Sequence, residues 1–447
     1  MELYITELSK NLINVFLIIY TVISFICCIR KSEDSRKPFY IIQNILMLLT
    51  QFLCFLQIET RTGQITYLFY YAFCAIVLIS TMVLFGVIYP DGNTLIINNM
   101  CMMLMLGLVL LIRIDSGKAL RQLFIVIFSL VIAFFVPKII AEWDSLKYIP
   151  FVYAIVGIAA LLIVLILGSV TNGSKISFTI VGVTFQPSEL VKILFVLFIA
   201  AAFYESVSFK QVILTALLAG AHIIILVISK DLGSAAIYFV VYLCMLVVAT
   251  GNILYLILGT FMGCSAAVIA YHLFTHVQNR VQAFLDPWSS IDSIGYQITQ
   301  SLFAISSGGW FGLGLFCGSP QDIPYVEDDF IFSALAQELG IISAVCVCLI
   351  CVSTFIMILK QSYYMRNLFE RLLSFGFAVT YIFQIFLTVG GGSKFIPLTG
   401  VTFPLVSYGG SSVLTTIIMF FAVEGCQISH IERRRETIIN QRRNRYE

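Results

Sequence analysis

Apolar residues in this chain come in long unbroken runs, not in the short periodic stretches of a globular domain. A helix needs about 20 apolar residues to cross the hydrocarbon core of a bilayer. Runs of that kind lie near 11–29, 38–57, 66–88, 95–113, 119–140, 149–170, 187–204, 210–229, 232–250, 253–273, 330–358, 372–389 and 405–426, which predicts about thirteen spans. The chain is therefore expected to be an all-α polytopic membrane protein. Connections between spans are short except for the polar segment 274–329, which carries Trp288, Tyr296, Phe303, Trp310, Phe311, Phe316 and Tyr325. That aromatic content is foreign to a disordered linker and predicts an ordered platform folded onto the membrane interface.

Composition sharpens this picture. The 447 residues are 60% hydrophobic and 11% charged, against roughly 45–50% and 25% for soluble domains. A net charge of +2 excludes a polyanion-binding surface and leaves the basic residues to report orientation. Arg30, Lys31, Arg36 and Lys37 lie between the first two spans, Lys360, Arg366 and Arg371 between the eleventh and twelfth, and Arg433, Arg434, Arg435, Arg442, Arg443 and Arg445 in the tail. With an odd number of spans all three clusters fall on one side, giving an external N-terminus, a cytoplasmic C-terminus and an external 274–329 segment. Arg113, Lys118 and Arg121 fall on the external side and run against the rule. Eleven of the twelve cysteines lie in or beside apolar runs, and the pair Cys348 and Cys351 has no companion ligands for zinc, so neither a disulfide framework nor a metal site is expected. The first apolar run is preceded by Glu2 and Glu7 and followed by its basic cluster, the reverse of a secretory signal.

Ionisable groups inside or at the mouths of spans are costly and mark the candidate chemistry. Gln186-Pro187-Ser188-Glu189 with Lys192 opens the seventh span; Glu189 and Lys192 share a helix face, either as a self-neutralising pair that eases entry into lipid or as a functional pair. Lys230 and Asp231, followed by Gly233, join the eighth and ninth spans, as an interfacial turn or a site. Arg280 precedes Asp286-Pro287, and Gly295-Tyr296-Gln297 follows. Glu327-Asp328-Asp329 stands directly before Phe330-Ile331-Phe332; a carboxylate there is either a helix cap or a partly desolvated base with a raised pKa. Residues 397–412, ending in Ser407-Tyr408-Gly409-Gly410-Ser411-Ser412, have the composition of a re-entrant or broken helix, which membranes tolerate where it lines a polar cavity.

These motifs, in this order from about Asn99 to Gly425, resemble the SEDS family (shape, elongation, division and sporulation), with its RodA, FtsW and SpoVE types; Glu338-Leu339-Gly340 belongs to the same pattern. The resemblance implies a ten-helix core over 95–427, which leaves about three extra transmembrane helices in 1–94 and a basic cytoplasmic tail in 428–447. It implies a peptidoglycan glycosyltransferase of the bacterial cytoplasmic membrane. Such an enzyme uses lipid II, a disaccharide-pentapeptide on undecaprenyl pyrophosphate, and works with a class B penicillin-binding protein. By that resemblance Asp329 is the catalytic aspartate, with Lys192, Glu189, Arg280, Asp231, Gln297 and Ser407 as substrate-binding candidates. No cofactor is implied; a divalent cation would suit a pyrophosphate leaving group, but no ligand set is recognisable. Where the family usually reads L-P-E-x-H-T, this chain has Ile323-Pro324-Tyr325-Val326-Glu327-Asp328; Lys230 replaces a usual proline, Gln337 a glutamate, and Leu313 a lysine-like residue. Two other classes compete: a flippase of lipid-linked precursors, against which stands the lack of an inverted internal repeat, and a non-catalytic scaffold that recruits a transpeptidase.

Overall fold

The computed structural model describes residues 2–171, 174–180 and 183–446. Among them, thirteen helical segments are long and apolar enough to cross a membrane, as the apolar runs predict. Three helices, α1 (Glu2–Ile29), α2 (Lys37–Thr62) and α3 (Thr66–Ile88), precede α4 (Thr94–Ile114). Next come α5 (Ser116–Ala133), α6 (Val136–Glu142), α7 (Pro150–Leu167), α8 (Pro187–Glu205), α9 (Phe209–Ile228), α10 (Leu232–Thr250) and α11 (Leu254–Leu273). The long loop holds α12 (Thr275–Leu285) and α13 (Tyr296–Gly308), and α14 (Ile331–Tyr364), α15 (Leu368–Gly392) and α16 (Gly410–Tyr446) complete the bundle. Between α7 and α8 the chain makes a small antiparallel sheet of β1 (Ser169–Thr171), β2 (Ser174–Ile180) and β3 (Val183–Phe185). α5 and α6 form one span, interrupted at Phe134–Phe135 beside Pro137, which lacks the N–H a continuous ladder needs.

Burial sorts helices that hydropathy alone does not. The apolar window of α4 is wholly buried at the centre of the bundle, whereas no residue of α11 is buried. Both are apolar all round, the pattern of a helix surrounded by protein or by lipid.

α14 is broken at Gly340 (φ +89°), where a glycine-rich strap repairs the hydrogen-bond ladder. Leu313 N and Gly314 N donate to the carbonyls of Gln337 and Glu338 (3.0 and 2.9 Å), and Ile341 N donates to Gly309 O (3.0 Å). The strap runs so close that a Cβ on Gly312 would lie 2.3 Å from Glu338 O. The N-terminal helices brace it: Asn14 Nδ2 donates to Phe311 O and Leu339 O (both 3.2 Å), and Gln57 Oε1 accepts from Leu315 N (3.1 Å).

The basic clusters converge on one end of the bundle, where Lys360 Nζ donates to Cys28 O (3.0 Å), Arg433 pairs with Glu370, and Arg435 pairs with Asp91 (2.6 Å). At the opposite end two of the three cations that violate the charge rule are neutralised. Arg113 pairs with Glu338 (2.7 Å) and Lys118 with Glu327, while Arg121 is exposed. Two boundaries differ from expectation. Residues 405–409, expected inside the last span, are loop, because Pro397, Pro404 and the positive φ values of Gly400 and Leu405 (+72° and +69°) stop a helix until Gly410. The tail beyond residue 427 instead continues α16 as helix.

Candidate active site

Asp329 stands two residues before α14. Phe330 is the N-cap of that helix and no side chain caps it, so the acidic run is not the helix cap that was one reading of it. Instead, Asp328 N and Asp329 N both donate to Tyr325 O (3.1 Å), folding 325–329 into a tight turn. Val326 and Phe330 are buried and root that turn, leaving Asp329 half-buried. Its carboxylate lines a cavity of about 540 Å³ together with Arg280, Tyr296, Gln297, Tyr325 and Gly400.

Arg280 comes from α12 and is held by Thr399 O, to which Nη1 donates (3.1 Å). Gly400, at φ +72°, lies between it and the carboxylate: a Cβ there would be 3.6 Å from Arg280 Nη2 and 3.7 Å from Asp329 Oδ2. Among the described residues Asp329 and Arg280 thus share one small space without closing into a direct ion pair. Burial pushes the Asp329 carboxyl up to about 6, against the pull of Arg280. Burial, with Asp329 and Glu327 adding to it, pushes Asp328 up to about 7. Burial also lowers Arg280, which Asp329 and Asp231 counter, and lowers His276, helped by Arg280 and Lys230. A carboxylate that gains and loses a proton near neutrality can accept a proton from a bound hydroxyl, and a charged arginine beside it in the same cavity can stabilise a departing anion.

Glu189, Lys192, Asp231 and Ser407 do not line this cavity; they stand behind its wall. Lys192 is buried and paired with Glu189 (2.7 Å), and its Nζ donates to Gln384 Oε1 (2.8 Å). Gln384 Nε2 in turn donates to Thr402 O (3.1 Å), and Thr388 Oγ1 to Val401 O (2.9 Å). Asp231 caps α10 through Ser234 N (3.1 Å) and accepts from Gln186 Nε2 and Ser188 Oγ (both 3.3 Å). Its neighbour Gly233 lets the 399–401 segment approach, since a Cβ there would be 3.0 Å from Thr399 O. Ser407 Oγ accepts from Phe403 N (2.9 Å) and donates to Asp328 O, while Tyr408 N donates to Glu327 O (2.8 Å). The 399–408 loop is therefore a partition. One side faces Asp329 and Arg280, and the other is held by the polar groups of α8, α10 and α15. Gln384, Gly400 and Tyr325 escaped the sequence reading as site residues. Gln384 had a signal, as an amide inside an apolar run, and Gly400 one only as part of the 397–412 segment expected to line a polar cavity.

A thirteen-span bundle with a polar, partly desolvated cavity at the end opposite its basic clusters defines a membrane protein with a ligand-sized site near one rim of the bundle. The chain belongs to the FtsW/RodA/SpoVE family of cell cycle proteins, whose pattern matches residues 93–432. It is similar to the peptidoglycan glycosyltransferase RodA of Mycobacterium tuberculosis, 34% identical over 285 residues, which is 59% of this chain and 59% of that protein. It is also similar to the probable peptidoglycan glycosyltransferase FtsW of Hydrogenovibrio crunogenus, 33% identical over 311 residues, 67% of this chain and 79% of that one. The chain thus spans 59% of the length of its mycobacterial relatives. Among solved structures, a chain of a peptidoglycan synthase complex matches with a TM-score of 0.65 at 23% identity, over 76% of this chain and 98% of that one. The Rod shape determining protein RodA of Thermus thermophilus matches with a TM-score of 0.57 at 22% identity, over 76% and 97%. Both likenesses establish the fold.

Proposed function

We propose that this protein polymerises lipid II into glycan strands at the outer face of the cytoplasmic membrane. The observation that carries the reading is Asp329: a half-buried carboxylate that caps no helix, raised to about 6, in an open cavity beside Arg280. Asp329 takes the proton of the acceptor sugar hydroxyl as its oxygen forms a bond to the donor's anomeric carbon. The bond from that carbon to the pyrophosphate breaks, and undecaprenyl pyrophosphate leaves with the electron pair. Arg280 stabilises the departing charge. Because pyrophosphate is a good leaving group, one carboxylate does the work that a glycoside hydrolase divides between two. Glu189, Lys192, Asp231 and Ser407 serve by holding the 399–408 partition. A divalent cation would be carried by the pyrophosphate itself, since among the described residues no three His, Cys, Asp or Glu side chains gather; EDTA should then slow turnover without changing the melting temperature.

The activity is supported by that of the RodA and FtsW relatives, and the crosslinking partner, a class B penicillin-binding protein, by the family resemblance and by the synthase complex to which a chain of similar fold belongs. The external N-terminus and cytoplasmic C-terminus rest on the gathering of the basic clusters at one end. With Cys264 and Cys317 replaced by serine, a membrane-impermeant thiol reagent should reach Ser289→Cys but not Asn440→Cys in intact cells, and labelling of the tail would invert the orientation. Reconstitution of the purified protein with labelled lipid II separates the three classes of function. Polymer supports the proposal, translocation without polymer makes the protein a flippase, and neither leaves a scaffold.

A further inference from the structure

Tyr325 has a backbone that its side chain does not favour. Its φ of +58° is in the left-handed region, which costs a non-glycine residue on the order of 1 kcal/mol and persists only where the surroundings or a function demand it. The turn explains the backbone: Tyr325 O must accept from both Asp328 N and Asp329 N to present Asp329 to the cavity. It does not explain the side chain, because glycine would make that turn without strain. Ile323 and Val326, on either side, are buried and anchor the segment, whereas Tyr325 is 45% exposed and lines the cavity beside Asp329. Among the described residues its ring packs against no other aromatic ring, and its hydroxyl has no hydrogen-bond partner. Tyr296, 38% exposed, lines the same cavity. Trp310 and Phe395, each 71% exposed, do not line it and suit the aromatic belt at the membrane surface.

We propose that Tyr325 is a stacking platform for a pyranose ring, holding the sugar whose hydroxyl is offered to Asp329. The proposal rests on the polymerase reading and deepens it by giving the cavity a sugar subsite. The apolar face of a pyranose is a row of C–H groups, which the electron-rich face of an aromatic ring attracts, while Arg280, Gln297 and Asp329 supply polar partners for the hydroxyls at the rim. Tyr325 is a positioning residue: it fixes the plane of the sugar and so the distance from hydroxyl to carboxylate.

The test measures binding of lipid II, and separately of undecaprenyl pyrophosphate, to the full chain in nanodiscs, for wild type, Tyr325→Phe, Tyr325→Leu and Tyr325→Gly. Tyr325→Phe should bind lipid II within about twofold of wild type, and the Leu and Gly variants about tenfold more weakly. None should change its affinity for undecaprenyl pyrophosphate, which has no sugar. Tyr325→Gly should melt at or above the wild-type temperature, because it relieves the left-handed strain; a residue needed only for folding would lower it. Wild-type affinity for lipid II in Tyr325→Leu, or equal losses for both lipids, would overturn the platform and make Tyr325 a belt residue. Wild-type protein that binds lipid II without polymerising it would refute the polymerase reading instead, and leave the stacking assignment standing.

Discussion

Two arginines meet carboxylates at the end of this bundle opposite the basic clusters, in opposite ways. Arg113 and Glu338 are both buried; Arg113 Nε donates to Glu338 Oε1 (2.7 Å), its Nη2 to Gly318 O (2.9 Å), and its guanidinium lies 4.4 Å from the centre of the Phe316 ring. Neither group lines the cavity. Arg280 and Asp329 face each other across Gly400, on the wall of a 540 Å³ cavity, with only Thr399 O engaging the guanidinium. The first pair stitches the strap at 308–318 to the break in α14; the second keeps its charges available. Charge pairs of the same chemistry, one at each end of the first turns of α14, thus differ in whether they close on each other or face a cavity.

Breaking the open pair should cost the most activity. Asp329→Asn keeps the shape and removes the basicity, so polymerisation should fall about 10²- to 10⁴-fold in a folded protein that still binds lipid II, while Asp328→Asn and Glu327→Gln keep substantial activity. Near-normal turnover in Asp329→Asn would move the base to another carboxylate. Breaking the closed pair should instead damage folding. Glu338→Gln or Arg113→Met leaves a buried charge unpartnered, at a cost of about 3–5 kcal/mol, seen as a lower melting temperature, with activity per folded molecule largely kept. Replacing both residues by apolar ones should recover much of that loss. A catalytic defect in Glu338→Gln at unchanged stability would erase the distinction between the pairs. Lys192→Met, which leaves Glu189 unpartnered behind the partition, should fall between them. It should lower turnover by up to about 10²-fold through misplacement of the 399–408 loop, with a smaller effect on melting than Glu338→Gln.

The sequence carried the bundle well and the site in part. Thirteen runs became thirteen spans because lipid requires every backbone group to be satisfied within its own helix, which imposes a length that composition reveals. The same rule explains why 405–409 misled: the buried apolar residues around Pro404 need not be helical, since Ser407 Oγ accepts from Phe403 N and Phe403 O accepts from Val406 N and Ser407 N. Arg113 and Lys118 contradicted the charge rule as counted along the chain, because their partners Glu338 and Glu327 lie more than two hundred residues away. Asp329, Arg280 and Gln297 were legible as motifs and do share one cavity. That Lys192 and Asp231 lie behind its wall depends on the path of residues 399–402, and a loop with positive φ at Lys394, Gly400 and Leu405 leaves no periodicity to read.

The smallest effect is also the one that reports most directly on the open pair. In the folded protein Asp329 holds its proton up to about pH 6, because burial disfavours the charged form; in the unfolded chain it releases it near the ordinary 3.8. Between those values the native state binds more protons than the unfolded state, so stability falls as pH rises through the window, and above about 6 the cost of the buried charge is fully present. Asn at this position carries no such cost. Asp329→Asn should therefore melt above wild type at pH 7.5, with the difference closing as the pH is lowered towards 4. The rate has the opposite dependence. A base must be unprotonated, so the acid limb of kcat/KM should lie near 6. Arg280→Met, which removes the nearby positive charge, should move that limb to higher pH, and Glu327→Gln, which removes a nearby negative one, should move it lower. An acid limb that stays put in both variants, or an Asp329→Asn protein less stable than wild type at pH 7.5, would mean that Asp329 is paired and structural like Glu338.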